Sequence, residues 1–143
     1  MLNAAYIIGR VFVPVIFIVS GVQKAMDVAG TAKMLAAANM PIPEAIVPYL
    51  QGIPKYEALA YLSAAVEVVC GLLVLVGLKA RWAALLLAVF TACTIIFIHH
   101  FWDMDGAALI ENRTQALKNL SIMGGLLLIV AVGSGLSSVD HRS

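Results

Sequence analysis

Two ionisable side chains stand inside otherwise uncharged apolar stretches of this sequence, Arg10 within 4–22 and Glu67 within 58–78. A charge left unpaired in a hydrocarbon layer costs at least about 2.5 kcal/mol, so such residues are kept for pairing or for function. At about 1.5 Å of rise per residue, Glu67 falls near the midpoint of its stretch and Arg10 roughly 9 Å from the end of its own, a difference that an arginine side chain covers. The spacing predicts a buried Arg10–Glu67 ion pair. Such a pair clamps two helices together; alternatively, Glu67 is a proton-carrying carboxylate.

A second group of polar residues gathers at the far ends of the apolar stretches. Lys24 closes the first, His99 and His100 close the third with Asp103 just beyond, and Lys118 and Asn119 open the fourth. On a continuing helix Asp103, four residues after His99, hydrogen-bonds that imidazole and fixes its tautomer. Adjacent His99 and His100 point about 100° apart, so at most one faces the bundle axis. One reading is an interfacial belt at headgroup level, with Trp82 and Trp102 marking opposite interfaces. The other is a ligand site in which Lys24, His99, Lys118 and Asn119, with Asp103 in support, hydrogen-bond the carbonyl oxygens of a quinone or another small molecule.

Several chemistries find no footing. The remaining histidine, His141, belongs to the opposite side, so two histidines on facing helices are not available to a haem. Cys70 and Cys93 lack a C-x-x-C spacing and read as packed, reduced thiols. No zinc spacing, nucleophile elbow, P-loop or dinucleotide fingerprint occurs. No metal and no covalent cofactor is expected. The chain carries no redox centre or nucleophile of its own, so at most it is a quinone-interacting subunit of an oxidoreductase.

The elements that must position these residues follow from composition. Of 143 residues 62% are hydrophobic and 12% charged, against roughly 25% charged in soluble domains. Nine Lys and Arg against eight Asp and Glu offer no basic footprint for nucleic acid. Four apolar stretches, 4–22, 58–78, 82–102 and 116–136, each approach the roughly 20 residues that span a bilayer as a helix. The first lacks a basic leader and an A-x-A-like cleavage site and is read as a retained helix. The expected fold is all-α: a single membrane-embedded antiparallel four-helix bundle over residues 1–143, with the lipid bilayer as its surroundings.

Four spans place both termini on one side, together with the tight turn Gly77-Leu-Lys-Ala-Arg81. That side carries Lys79, Arg81 and Arg142 against Asp140, and the other five Lys and Arg against six acids. Basic density in the shortest segment sets the expected orientation, with the turn and both termini in the cytoplasm. Between the first two spans, 28–38 reads as a short interfacial helix, followed by Pro41, Pro43, Pro48 and Pro54, which exclude a long regular helix. This segment is an outer cap. Residues 103–115 read as a polar connector. Ser20-Gly21, Gly71, Gly124-Gly125 and Gly133-x-Gly135 supply the small residues that let helices approach closely in lipid. A homo-oligomer is a further association open to the chain.

The sequence resembles the DoxX-like family of small bacterial inner-membrane proteins along nearly its whole length. The matching features are Arg10, Gly21-x-x-Lys24, Met40-Pro-x-Pro43, Glu67-x-x-x-Gly71 and Gly77-x-x-x-Arg81. In the second half they are His99-His-Phe-Trp-Asp103, Leu117-Lys-Asn-Leu-Ser-Ile-Met-Gly-Gly125 and the run from Gly133-x-Gly135 to Asp140. The segment 44–57 is an insertion relative to typical relatives. Relatives include the membrane part of a thiosulfate:quinone oxidoreductase and a mycobacterial protein that assembles with superoxide dismutase and a sulfurtransferase. The resemblance therefore implies a redox-linked, quinone-associated subunit acting with a membrane or periplasmic partner. A non-enzymatic scaffold or assembly factor, docking such a partner through the cap, is the alternative.

Overall fold

A computed structural model describes residues 2–42, 44–50, 52–135 and 138. Pro43, Leu136, Asp140, His141 and Arg142, used above, lie outside the described residues. The chain forms α1 (Leu2–Met26), α2 (Val28–Ala37), a 3-10 segment over Glu44–Leu50, α3 (Lys55–Val76), α4 (Ala80–Phe97), a 3-10 turn over Phe101–Asp103 and α5 (Gly106–Val132). Four helices, α1, α3, α4 and α5, are long and apolar enough to cross a membrane. They make an antiparallel bundle in which α1 packs mainly on α3 and α4 on α5, while α3 and α4 join the two pairs.

Phe17, Cys70, Val74, Leu87 and Leu126 are buried at the centre. The outer faces carry large apolar side chains such as Phe12, Leu62, Val89 and Leu128, all more than half exposed. In water such a surface would drive aggregation; in lipid it is the solvated face.

Glycines decide where α1 and α3 touch. A Cβ on Gly21 would stand 2.7 Å from Val68 Cγ2 and 2.9 Å from the Ala64 carbonyl oxygen, and one on Gly71 2.8 Å from Ile18 Cγ1. Gly125 likewise faces Val13, whereas Gly124, expected with it to permit close helix approach, meets nothing within 4 Å. The α3–α4 hairpin turns as expected: Gly77 and Lys79 both adopt left-handed conformations, and Gly77 N–H donates to the Leu73 and Val74 carbonyls to close α3.

The cap is also as expected. The Asp27 carboxylate accepts from Gly30 N–H at 2.9 Å and starts α2, which lays Ala32 and Leu35 on Ala60 of α3. Two boundaries differ from the sequence reading. Helix α4 stops at Phe97 instead of running to 102, and α5 begins at Gly106, ten residues before 116. Residues 106–115 are too polar for a hydropathy window, yet Ala, Leu, Glu, Arg and Gln there favour helix.

Candidate functional site

The stagger of α1 on α3 determines which charges meet. Gly21 lies against Ala64, Glu67 and Val68, and at the other end of the seam Gly77 lies against Arg10. Arg10 and Glu67 are thus separated by ten or so positions along the seam, about 15 Å, and the expected Arg10–Glu67 pair does not form. Glu67 instead pairs with Lys24: Lys24 Nζ donates to Glu67 Oε2 at 2.6 Å, and Ser20 Oγ donates to Oε1 at 3.1 Å. Ser20 and Lys24, four residues apart, share one face of α1.

Arg10 does other work. Its Nη1 donates to the Ser134 carbonyl, Tyr6 hydroxyl donates to the Gly133 carbonyl, and Arg81 Nη2 reaches the Val132 carbonyl at 3.4 Å. These donors satisfy carbonyl groups at and just after the end of α5, where the helix itself supplies no N–H, and the cations oppose its negative pole. The contacts also bring the start of α1 and the end of α5 to the hairpin side of the bundle.

Above the Lys24–Glu67 pair, toward the cap, a cavity of about 240 Å³ opens among α1, α3, α4 and α5. Its polar wall comprises Ser20, Lys24, Glu67, Thr91, Thr94, His99 and Asn119; Phe17 and Phe90 are among its apolar residues. Glu67 and Thr91 are almost wholly buried. Asn119 Nδ2 donates to Thr94 Oγ1 at 3.1 Å, which donates to the Thr91 carbonyl at 2.8 Å. Lys24 Nζ also lies 5.2 Å from the Phe90 ring centroid, a cation–π contact.

Three of the five proposed ligand residues, Lys24, His99 and Asn119, therefore share one cavity, and Glu67 joins them. Lys118 and Asp103 do not: both are exposed and neither lines it. The expected Asp103–His99 bond fails because α4 has ended before His99, whose N–H turns back to the Thr94 carbonyl, so the two residues are not one helical turn apart. Asn112 takes that place, with Oδ1 3.0 Å from His99 Nδ1. Because Asn112 Nδ2 donates to the Ala108 carbonyl, its Oδ1 is the end facing histidine. A neutral His99 is then protonated at Nδ1, leaving Nε2 as its acceptor.

Trp82 and Trp102 are exposed near opposite ends of the bundle, and His100 bonds the Phe97 carbonyl and stands edge-on to Trp102. Cys70 and Cys93 are free thiols. Among the described residues no group of three or more His, Cys, Asp or Glu is placed to hold a metal ion.

The residues missed from sequence are Ser20, Thr91, Thr94, Phe90 and Asn112. The i, i+4 pair Ser20/Lys24 and the i, i+3 pair Thr91/Thr94 are signals that helical spacing carries. Phe90 is one aromatic among many apolar residues, and Asn112 lay in the segment read as connector.

The sequence model of the DoxX family matches residues 5–100. The chain is 32% identical to inner membrane protein YphA of Escherichia coli, over 95% of this chain and 88% of the relative. It is 31% identical to inner membrane protein YqjF of the same organism, over 97% of this chain and 92% of the relative. An uncharacterized membrane protein of Mycobacterium tuberculosis is 32% identical over 93% of this chain and 77% of its own length. No solved structure gives a significant match.

Proposed function

The chain belongs to the DoxX family of membrane proteins, and on that premise we propose that it is a quinone-associated subunit of a redox assembly, with partner proteins supplying the electrons. The observation that carries this reading is the meeting of Lys24, Glu67, His99 and Asn119 in one cavity within the bundle. Its volume, about 240 Å³, equals that of roughly eight waters, room for a single substituted ring. The apolar residues accept a ring face, while Lys24 and Asn119 supply donors for a carbonyl oxygen. A quinone held there contributes two-electron redox chemistry coupled to protons.

The protein's own part is binding and proton handling. His99 with its Nδ1 proton held by Asn112 presents a basic Nε2, and Glu67 provides a carboxylate that Lys24 holds in place. Breaking the Lys24–Glu67 contact would free both a donor and an acceptor inside the cavity, so ligand binding and ion-pair opening compete for the same groups. We place the protein in the bacterial inner membrane, with the Lys79–Arg81 turn in the cytoplasm by the density of positive charge. The cavity then faces the periplasmic half.

Mass spectrometry of the protein purified in mild detergent tests the reading, since it registers both co-purifying quinone and partner chains. Quinone is expected with the wild type, lost from His99→Ala and Asn119→Leu at unchanged thermal stability, and kept by Lys118→Ala. Equal quinone content in all variants, or none in the wild type, refutes it. A scaffold role is the second reading, favoured by Tyr49, Val47 and Ile53, which stand exposed on the cap. Partner chains that co-purify without quinone, and are lost on Tyr49→Ala, would favour it.

A further inference from the structure

Beside the polar cavity lies a second one, of about 270 Å³, between the cap-side halves of α3 and α4. Leu59, Leu62 and Val66 of α3 face Leu86, Val89 and Cys93 of α4 across it. Its few polar side chains are committed elsewhere: Ser63 donates to the Ala60 carbonyl, Thr94 to the Thr91 carbonyl, and Lys24 is paired with Glu67. The chamber therefore offers dispersion and burial, with little to orient a polar group.

Three features connect this chamber to the bilayer and to the polar site. Leu62, Leu86 and Val89 line it and are also 60%, 48% and 53% exposed, so its mouth opens on the lipid-facing surface between α3 and α4. Its roof is α2, which contributes Met34 and Leu35 beside the nearby Met40; methionine adapts to chains of variable shape. Lys24, Met34, Phe90, Thr94 and Ile98 line both cavities, so the two share a wall in which Phe90 lies under the Lys24 ammonium. Each cavity alone falls below the roughly 300–1,000 Å³ usual for small-molecule sites, whereas the two joined fall within that range.

We propose that the two cavities form one bipartite site, in which the apolar chamber holds the isoprenoid chain of a quinone whose ring occupies the polar cavity. The ligand enters sideways from the bilayer between α3 and α4, with Phe90 as the threshold between chain and ring. This rests on the quinone reading, and it adds the entry route, the chain subsite and the role of Phe90. A lipid-soluble substrate gains here what a water-soluble one would not need, a route that never leaves hydrocarbon.

The test uses the full-length protein in detergent and compares decylubiquinone, a benzoquinone with a ten-carbon chain, with tetramethyl-1,4-benzoquinone, a fully substituted ring without one. The readouts are the equilibrium affinity of each and the rate at which N-ethylmaleimide alkylates Cys93, followed by peptide mass spectrometry with Cys70 of the central core as internal reference. Decylubiquinone is expected to bind at least tenfold more tightly than the chainless ring and to slow alkylation of Cys93 at least fivefold while leaving Cys70 unchanged. The chainless ring should protect neither thiol. Cys93→Phe, which fills the chamber, should reduce decylubiquinone to the affinity of the chainless ring; the protection experiment requires no variant and stands if Cys93→Phe fails to fold. Binding of both quinones with no chain-length advantage, or without protection of Cys93, overturns the chain subsite and leaves the ring site intact. Equal protection by decanol, which has a chain and no ring, shows unspecific filling and overturns it too. If neither quinone binds the wild type, the quinone reading itself falls and this proposal with it.

Discussion

Replacing Lys24 by methionine keeps most of the length of the side chain and removes its charge. The carboxylate left behind belongs to a side chain 5% exposed, and Ser20 Oγ remains to it as a hydrogen-bond donor. At 2.6 Å and an effective dielectric of about 20, the lost attraction is about 6 kcal/mol. Desolvation of both ions offsets part of that attraction in the native state, and stranding one partner of a buried pair costs about 3–5 kcal/mol. Glu67→Gln should be milder, about 1–2 kcal/mol. The lysine side chain it leaves is 19% exposed and lies over the Phe90 ring, and the amide oxygen still accepts a hydrogen bond. Lys24→Met with Glu67→Leu leaves no charge at this site and should recover most of the loss. Thermal unfolding in detergent, read by a thiol-reactive fluorogenic dye at buried Cys70, should show Lys24→Met lower by roughly 10 °C and Glu67→Gln by roughly 5 °C for a chain of this length. If Lys24→Met melts with the wild type, or the double variant is worse than either single one, the pair does not carry the energy assigned to it.

Further outcomes follow from glycines, from orientation and from the histidine. Gly21→Ala should destabilise by about 1–3 kcal/mol, because its Cβ would stand 2.9 Å from the Ala64 carbonyl. Gly124→Ala, with nothing within 4 Å, should be neutral or stabilising by up to about 1 kcal/mol; the same melting assay separates them. Lys79→Cys, on the exposed part of the hairpin turn, should react with a membrane-impermeant maleimide only after cells are permeabilised, and labelling of intact cells would reverse the proposed orientation. Asn112→Leu should change the His99 tautomer signal in nitrogen-15 NMR, while Asp103→Ala should not; the opposite pattern would restore the sequence-based pairing.

The number of spans and the turn at Gly77 were legible in the sequence, since each is a property of contiguous residues. Hydropathy adds along a stretch, and a glycine in a five-residue link has few conformations that reverse the chain. The start of α2 at Asp27 is local in the same sense. Depth along a span also placed Lys24, His99 and Asn119 at one level, and these three share the cavity. Choosing the partner of Glu67 was beyond that arithmetic. Spacing along a helix records how side chains rotate about its axis, but not how far one helix slides along another. That slide is set by contacts distant in sequence, Gly21 on Ala64 and Gly71 on Ile18, and it carries Arg10 away to the end of α5 while bringing Lys24 onto Glu67. Helix α4 likewise ends at Phe97 although its apolar run continues to 102, and that early end exchanges Asp103 for Asn112 beside His99. The chamber behind Phe90 exists only because α2 roofs the gap between α3 and α4. Its walls are ordinary leucines and valines, whose meaning comes from what they enclose.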